Sequence, residues 1–230
     1  MTPAALRARV APAKPGGDPQ AVARARAALL AWLDTQRRPV EAVVRDLASG
    51  AAAVAVGRAV LAQVPMPAGL ACAAGCAWCC VLPGADGGTI TGSEARALHG
   101  ALDAPSAGGR HPMACPALDP ETRTCRAYDA RPMICRTYVS PDAAACARVA
   151  DGQPAVGPAT HPAQLAYLTT HAVARAALAG VAPVRTYALR RVAAAADEPV
   201  AEALRGARHG AGALDAERRR LARGLRAARA

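Results

Sequence analysis

A chain of 230 residues is long enough to bury a core, either as one medium domain or as a small domain with helical extensions. Ala dominates the 53% hydrophobic content, Phe is absent and aromatics make up 3%, so the composition favours helix over dense packing of large side chains. The formal charge of +11 comes from Arg with Lys14 as the only lysine, a usage that follows coding bias, so a nucleic-acid partner is the lesser reading of it.

Between Val10 and Asp18 the chain runs through Pro, Gly and Lys without an apolar core, so no signal peptide is read and a cytoplasmic location is expected. The longest charge-free stretch, Ala59 to Ala85, holds Pro65, Pro67 and Pro83, which argues against a spanning helix and a membrane partner.

Residues 1–18 carry prolines, paired glycines and no apolar period, the pattern of a disordered arm. Asp18-Pro19 is a cap and first-turn pair for a helix ending near Gln36, and Pro39 with Glu41 opens a second helix that runs to Pro65. Residues 19–64 are therefore expected as a helical hairpin. After the loop from Pro65 to Gly88, Thr91 and Glu94 form a capping box for a helix to Asp103, followed by a Gly/Ser linker, Ala104 to Arg110. Met113–Leu118 and Thr124–Tyr128 flank an Asp119-Pro120 turn as a short hairpin, and Arg131-Pro132 starts a helical turn presenting Cys135. Beyond a Gly/Pro boundary at Asp151–Pro158, helical runs are expected at Pro162–Ala179, Pro183–Ala196 and Leu214–Arg229, the last strongly basic. The predicted class is mainly α with a small β-hairpin. A metal-stabilised cysteine-cluster segment, 65–150, lies between the N-terminal hairpin and a C-terminal helical region, 151–230.

Cys72, Cys76, Cys79 and Cys80 put four thiols into nine residues, and Cys115, Cys125 and Cys135 follow among prolines. Thiolates that dense repel one another unless a cation sits among them, and in a reducing compartment metal ligation explains them better than disulfides. Cys76-x2-Cys79 is a metal knuckle, while the adjacent Cys79 and Cys80 diverge from one backbone, so they fit two metals or one ligand with a supporting thiol. Zinc and iron, as mononuclear, binuclear or iron–sulfur sites, all remain open on softness alone. Cys146, on an Ala-rich stretch without a flanking motif, is open between a metal ligand and a small buried side chain, and the five histidines, His111 included, are read as structural.

The run Cys72-x3-Cys76-x2-Cys79-Cys80, then Cys115-Pro-Ala-Leu, then Cys125-x2-Tyr128-x2-Arg131-Pro132-x2-Cys135-Arg136 resembles the CxxCxxCC, or YkgJ-type, cysteine-cluster proteins. The resemblance covers about Ala71 to Tyr138. It implies chelation of zinc or iron with no established reaction; the flagellin lysine methylases are similar in carrying the same pattern within a longer chain. Two further function classes stand beside it. Cys72, Cys76, Trp78 and Cys79 also resemble the radical-SAM cysteine trio, and a zinc module delivering the basic C-terminal helix to nucleic acid would bind in a salt-dependent way. Arg131 and Arg136, flanking Cys135, are expected to offset thiolate charge, against the alternative of ion pairs with Asp129 or Glu121.

Overall fold

The computed structural model describes residues 1–81, 84–105, 111–155 and 158–227. Within them the chain is mainly helical, with eleven α-helices and two small two-stranded antiparallel sheets. The expected class holds.

The N-terminal arm is the first departure. Thr2 Oγ1 accepts the Ala5 N–H at 3.1 Å and Pro3 fills the first turn, so residues 3–10 form α1 (Pro3–Val10) rather than a disordered arm. Leu6 and Val10, one turn apart, are buried on it, and the Arg9 guanidinium donates to the carbonyls of Ala177 at 2.7 Å and Ala179 at 2.6 Å. These are carbonyls at and just beyond the C-terminal end of a later helix, where a cation is favoured. The composition of the arm hid this because its apolar residues are few and the partner is distant in sequence.

Helix α2 (Pro19–Asp34) starts where Asp18 caps the Ala21 N–H at 2.7 Å. The expected single second helix is split into α3 (Val40–Ser49) and α4 (Ala51–Gln63) by Gly50, whose φ of +88° is left-handed. A Cβ there would meet Thr91 Cβ at 2.4 Å, so both conformation and space require glycine. The cysteine loop contains a 3-10 turn at Trp78–Cys80 and leads into β1 (Thr89–Thr91) and α5 (Gly92–Gly100), with the predicted Thr91/Glu94 capping box in place. The Gly/Ser linker falls mainly outside the described residues.

The predicted hairpin reverses the chain through Asp119–Thr124 but narrows to one bridge, Leu118 with Cys125. Short elements follow: α6 (Met133–Thr137), β2 (Tyr138–Val139), α7 (Ala143–Ala150) and β3 (Ala159–Thr160), with β2 pairing β3.

Helix α8 (Ala163–Ala177) is the axis of the molecule. It packs against α1, α2, α3, α4 and α6, and against the last helix of the chain. It is buried almost all round, polar positions included. Thr170 Oγ1 donates to the Ala166 carbonyl at 2.9 Å, Gln164 Oε1 accepts from Thr137 Oγ1 at 3.2 Å and His171 Nε2 lies 3.0 Å from the Arg185 carbonyl, while Gln164 Nε2 and His171 Nδ1 have no partner among the described residues. The expected helix at Pro183–Ala196 begins instead as β4 (Thr186–Ala188), antiparallel to β1 with Ile90 opposite Tyr187, and continues as α9 (Leu189–Ala194). Helices α10 (Val200–Gly206) and α11 (Ala213–Ala227) complete the fold. Part of the basic face of α11 is used internally, since buried Arg218 bonds Asp215 at 3.0 Å and Arg220 bonds Glu217 at 2.7 Å.

Three buried clusters result. One joins α1, α2 and α3 to the far end of α8, and one joins α4, α8, α11 and Met133. The third sets Cys80, Cys115, Ala117 and Ile134 against Ile90, Leu98, Leu189 and Val192. The cysteine segment therefore shares its core with residues 187–207 far downstream.

Candidate metal centre

The first cysteine group is shaped by two left-handed residues, Gly75 at φ 79° and Ala77 at φ 58°. Glycine adopts that conformation freely, whereas for alanine it costs on the order of 1 kcal/mol and persists only where neighbours hold it. The holder is Arg123, itself left-handed at φ 55° on the hairpin turn. Its guanidinium donates to the Gly75 carbonyl at 3.0 Å and the Cys76 carbonyl at 3.1 Å, and lies 5.8 Å from the Trp78 ring centroid. Backbone bonds Cys76 N–H to Ala73 O at 3.1 Å and Cys80 N–H to Ala77 O at 2.8 Å then fold the knuckle.

The second group is joined to the first by one backbone bond, Cys115 N–H to Cys80 O, at 2.7 Å. Cys125 sits on the bridge opposite Leu118. Cys135 is delivered by α6, whose first N–H, that of Met133, donates to Glu94 Oε1 at 2.7 Å. The same carboxylate accepts the Thr91 N–H at 3.0 Å, the Thr91 hydroxyl at 3.1 Å and the Tyr167 hydroxyl in a short contact. Glu94, read from the sequence only as a cap, thus ties α5, α6 and α8 together behind the thiols.

Cys79, Cys80, Cys115, Cys125 and Cys135 line one cavity of about 10 Å³, with Arg131 and Arg190 at its wall. That is room for a single ion- or water-sized occupant. Cys72, Cys76 and Cys146 line an open groove that adjoins Cys79, Cys80, Cys125 and Cys135. Cys72 Sγ lies 3.8 Å from the Ser140 carbonyl, and Cys146 contacts Ser140 and Tyr138. All seven sequence-predicted cysteines are therefore brought to adjoining surfaces, with Cys146 joining them.

The thiols differ electrostatically. Hydrogen bonding from Cys80 holds Cys79 down to about 6, against its burial and with help from Arg131, and holds Cys125 down to about 7. Cys80, donating to both, is pushed far up. Burial pushes Cys115 up to about 11 and raises Cys135 and Cys146. The cluster thus pairs two thiolates with thiols that keep their protons.

Arg131 stacks over Tyr128, 3.7 Å from its centroid, beside Cys79. Arg136 donates to the carbonyls of Arg131 at 2.8 Å and Asp129 at 2.7 Å. Among the described residues neither pairs with a carboxylate; Arg136 reaches Asp129 through the backbone instead. Arg123 and Arg190 escaped the sequence reading. Arg190 donates to the carbonyls of Gly84 at 2.7 Å and Met113 at 2.5 Å while lying near Cys115. Arg123 stands two residues before Cys125, a proximity that could have flagged it, whereas nothing in the sequence links Arg190 to the thiols. His111 is engaged elsewhere, with its Nε2 3.3 Å from Asp151 and its Nδ1 accepting the Met113 N–H at 3.0 Å.

Residues 71–151 match the family CxxCxxCC, described as "Putative zinc- or iron-chelating domain". The matched segment, about a third of the chain, is similar to this family. The match extends beyond Tyr138, where the motif resemblance stops, and takes in α7 with Cys146. A search of curated proteins and a search of solved structures return no match. Among the described residues no three His, Cys, Asp or Glu side chains already stand in a coordinating arrangement. Zinc bound at about 2.3 Å by tetrahedral sulfurs would hold them roughly 3.7 Å apart, so the CxxCxxCC thiols need a local closing movement around an ion. The donor chemistry fits a soft metal: five sulfurs of two separate motifs share one ion-sized cavity with cationic walls. A radical-SAM barrel is not the setting of these cysteines, because among the described residues the only sheets are two antiparallel pairs. Among the described residues no helix is long and apolar enough to cross a membrane.

Proposed function

We propose that the chain binds zinc or iron through Cys72, Cys76, Cys79, Cys80, Cys115, Cys125 and Cys135, with Cys79, Cys80, Cys115, Cys125 and Cys135 holding the ion at the cavity. The observation that carries this is the convergence of Cys79 and Cys80 with Cys115, Cys125 and Cys135 on one small cavity. Cys72 and Cys76, on the groove above it, complete the set by closing over the ion or by holding a second one. Bound metal would supply either a structural crosslink or redox capacity, according to its identity.

The chain's own residues prepare the site in three ways. Cys79 and Cys125 supply thiolates near neutral pH, whereas Cys80, Cys115 and Cys135 must lose protons, so metal uptake releases protons to solvent. Arg131 beside Cys79 and Arg190 near Cys115 offset the negative charge that several thiolates leave around a divalent ion. Glu94 and Arg123 fix the two backbone segments that must meet. Proton release on titrating zinc into metal-free protein in weak buffer tests the reading: more than one proton per ion is expected between pH 7 and 8, and uptake without release would contradict it.

A further inference from the structure

The groove above the cavity has a volume of about 570 Å³ and two unlike walls. One is apolar, built from Leu61, Met66 and Leu70, and Met66 is 41% exposed. The other carries the guanidiniums of Arg123, Arg131 and Arg136, and among the described residues no Asp or Glu lines the groove. A surface that leaves Met66 and the 57%-exposed Tyr128 open beside three cations differs from the ordinary scatter of single exposed apolar groups.

Among the described residues no carboxylate pairs with these cations. Arg123 and Arg136 each spend two donors on backbone carbonyls, and Arg131 spends one on the Tyr128 carbonyl at 3.3 Å. A guanidinium has five N–H donors, so each retains some. A fourth cation stands close by. Arg58 lies one turn before Leu61 on α4, and α4 packs against α6, which carries Arg136. Arg58 is exposed on α4 and makes neither an ion pair nor a side-chain hydrogen bond among the described residues. The thiols answer Arg131, which sits beside Cys79, but Arg58 has no such counterion. Like charges gathered without an acid repel, and an anion entering among them removes that repulsion.

We propose that this groove binds a small organic anion, a carboxylate or phosphate ester carried on an apolar body, with its head at Arg58, Arg131 and Arg136. The body lies against Leu61, Met66 and Leu70, which brings the ligand over Cys72 and Cys76. The head group is held by guanidiniums rather than by sulfur, so the proposal goes beyond metal binding.

Trp78 lines the groove, while Trp32 packs in the N-terminal helical core, so Trp32→Phe leaves one fluorescent reporter at the site. The full chain in this background is titrated with phenyl phosphate, phenylacetate and inorganic phosphate, and the metal content of the same samples is measured. A saturable change with at least one aryl anion is expected, with inorganic phosphate binding at least tenfold more weakly. Which aryl anion binds better separates a phosphate from a carboxylate head. Arg58→Gln, on an exposed helix face, should weaken the aryl anion about fivefold. Absence of saturable binding by both aryl anions, equal binding of inorganic phosphate, or an unaltered affinity in Arg58→Gln would overturn the proposal. Metal-loaded protein that ignores the aryl anions defeats this proposal alone; metal-free protein that binds them keeps it and defeats the metal reading.

Discussion

Replacing Glu94 by Gln tests how the fold holds the second cysteine group in register with the first. The carboxylate, 7% exposed, accepts the N–H groups of Thr91 and Met133 and the hydroxyls of Thr91 and Tyr167. An amide presenting its oxygen toward Thr91 and Tyr167 turns its NH2 against the Met133 N–H, donor facing donor. One buried N–H left unpaired costs about 1–3 kcal/mol, and the bonds that survive lose their charge assistance. A loss of about 3 kcal/mol in urea unfolding follows, against less than about 0.5 kcal/mol for the exposed control Glu41→Gln. Because the Met133 N–H opens the helix that presents Cys135, Glu94→Gln should also release metal faster to a competing chelator. Stability and metal retention both within error of the parent would refute the assignment of Glu94 as the junction of α5, α6 and α8.

Four further outcomes follow from the same geometry. In metal-free protein, thiolate absorbance at 240 nm should rise between about pH 6 and 7 as Cys79 and Cys125 ionise, and Cys80→Ala should move that rise toward the ordinary value of 9.0; an unmoved titration would mean that Cys80 does not hold those thiols down. Since both folded values lie below the ordinary one, their contribution to metal-free stability grows from about pH 6 to 9 and is lost as pH falls through 7 and 6, which unfolding at a series of pH values would show. Chelation should increase hydrogen exchange in residues 65–149 while leaving Ala163–Ala177 protected, because the cysteine loops have little regular structure of their own; uniform loosening would contradict that division. Arg131→Ala should lower metal occupancy under chelator competition more than Arg219→Ala on the last helix, and equal occupancy would remove Arg131 from the charge balance of the site.

The parts of the fold with local causes were legible. Asp18-Pro19 and Thr91 with Glu94 announced their helices because a cap and its partner lie within three residues. The cysteine spacing announced the candidate site for the same reason. What failed to show depended on partners far along the chain. Leu6 and Val10 are ordinary until the end of α8 covers them, and the Thr186–Ala188 strand exists only because Thr89–Thr91 lies beside it. Gln164, Thr169, Thr170 and His171 leave α8 without a sequence sign that it is the buried axis. Arg123 and Arg190 act through carbonyls that no periodicity marks. Cys146 offered no spacing signal, since α7 brings it toward Tyr138 only after the chain has turned back through β2.

The most direct test of the central claim is elemental analysis of protein purified anaerobically from cells supplied with both iron and zinc, read together with its visible spectrum. The account predicts at least one equivalent of zinc or iron per chain, colourless if zinc and brown with charge-transfer bands if an iron–sulfur cluster, and lost when Cys79, Cys115 and Cys135 are replaced by Ser together. Protein that is folded and metal-free after this treatment, or that keeps its metal in the triple variant, would contradict it.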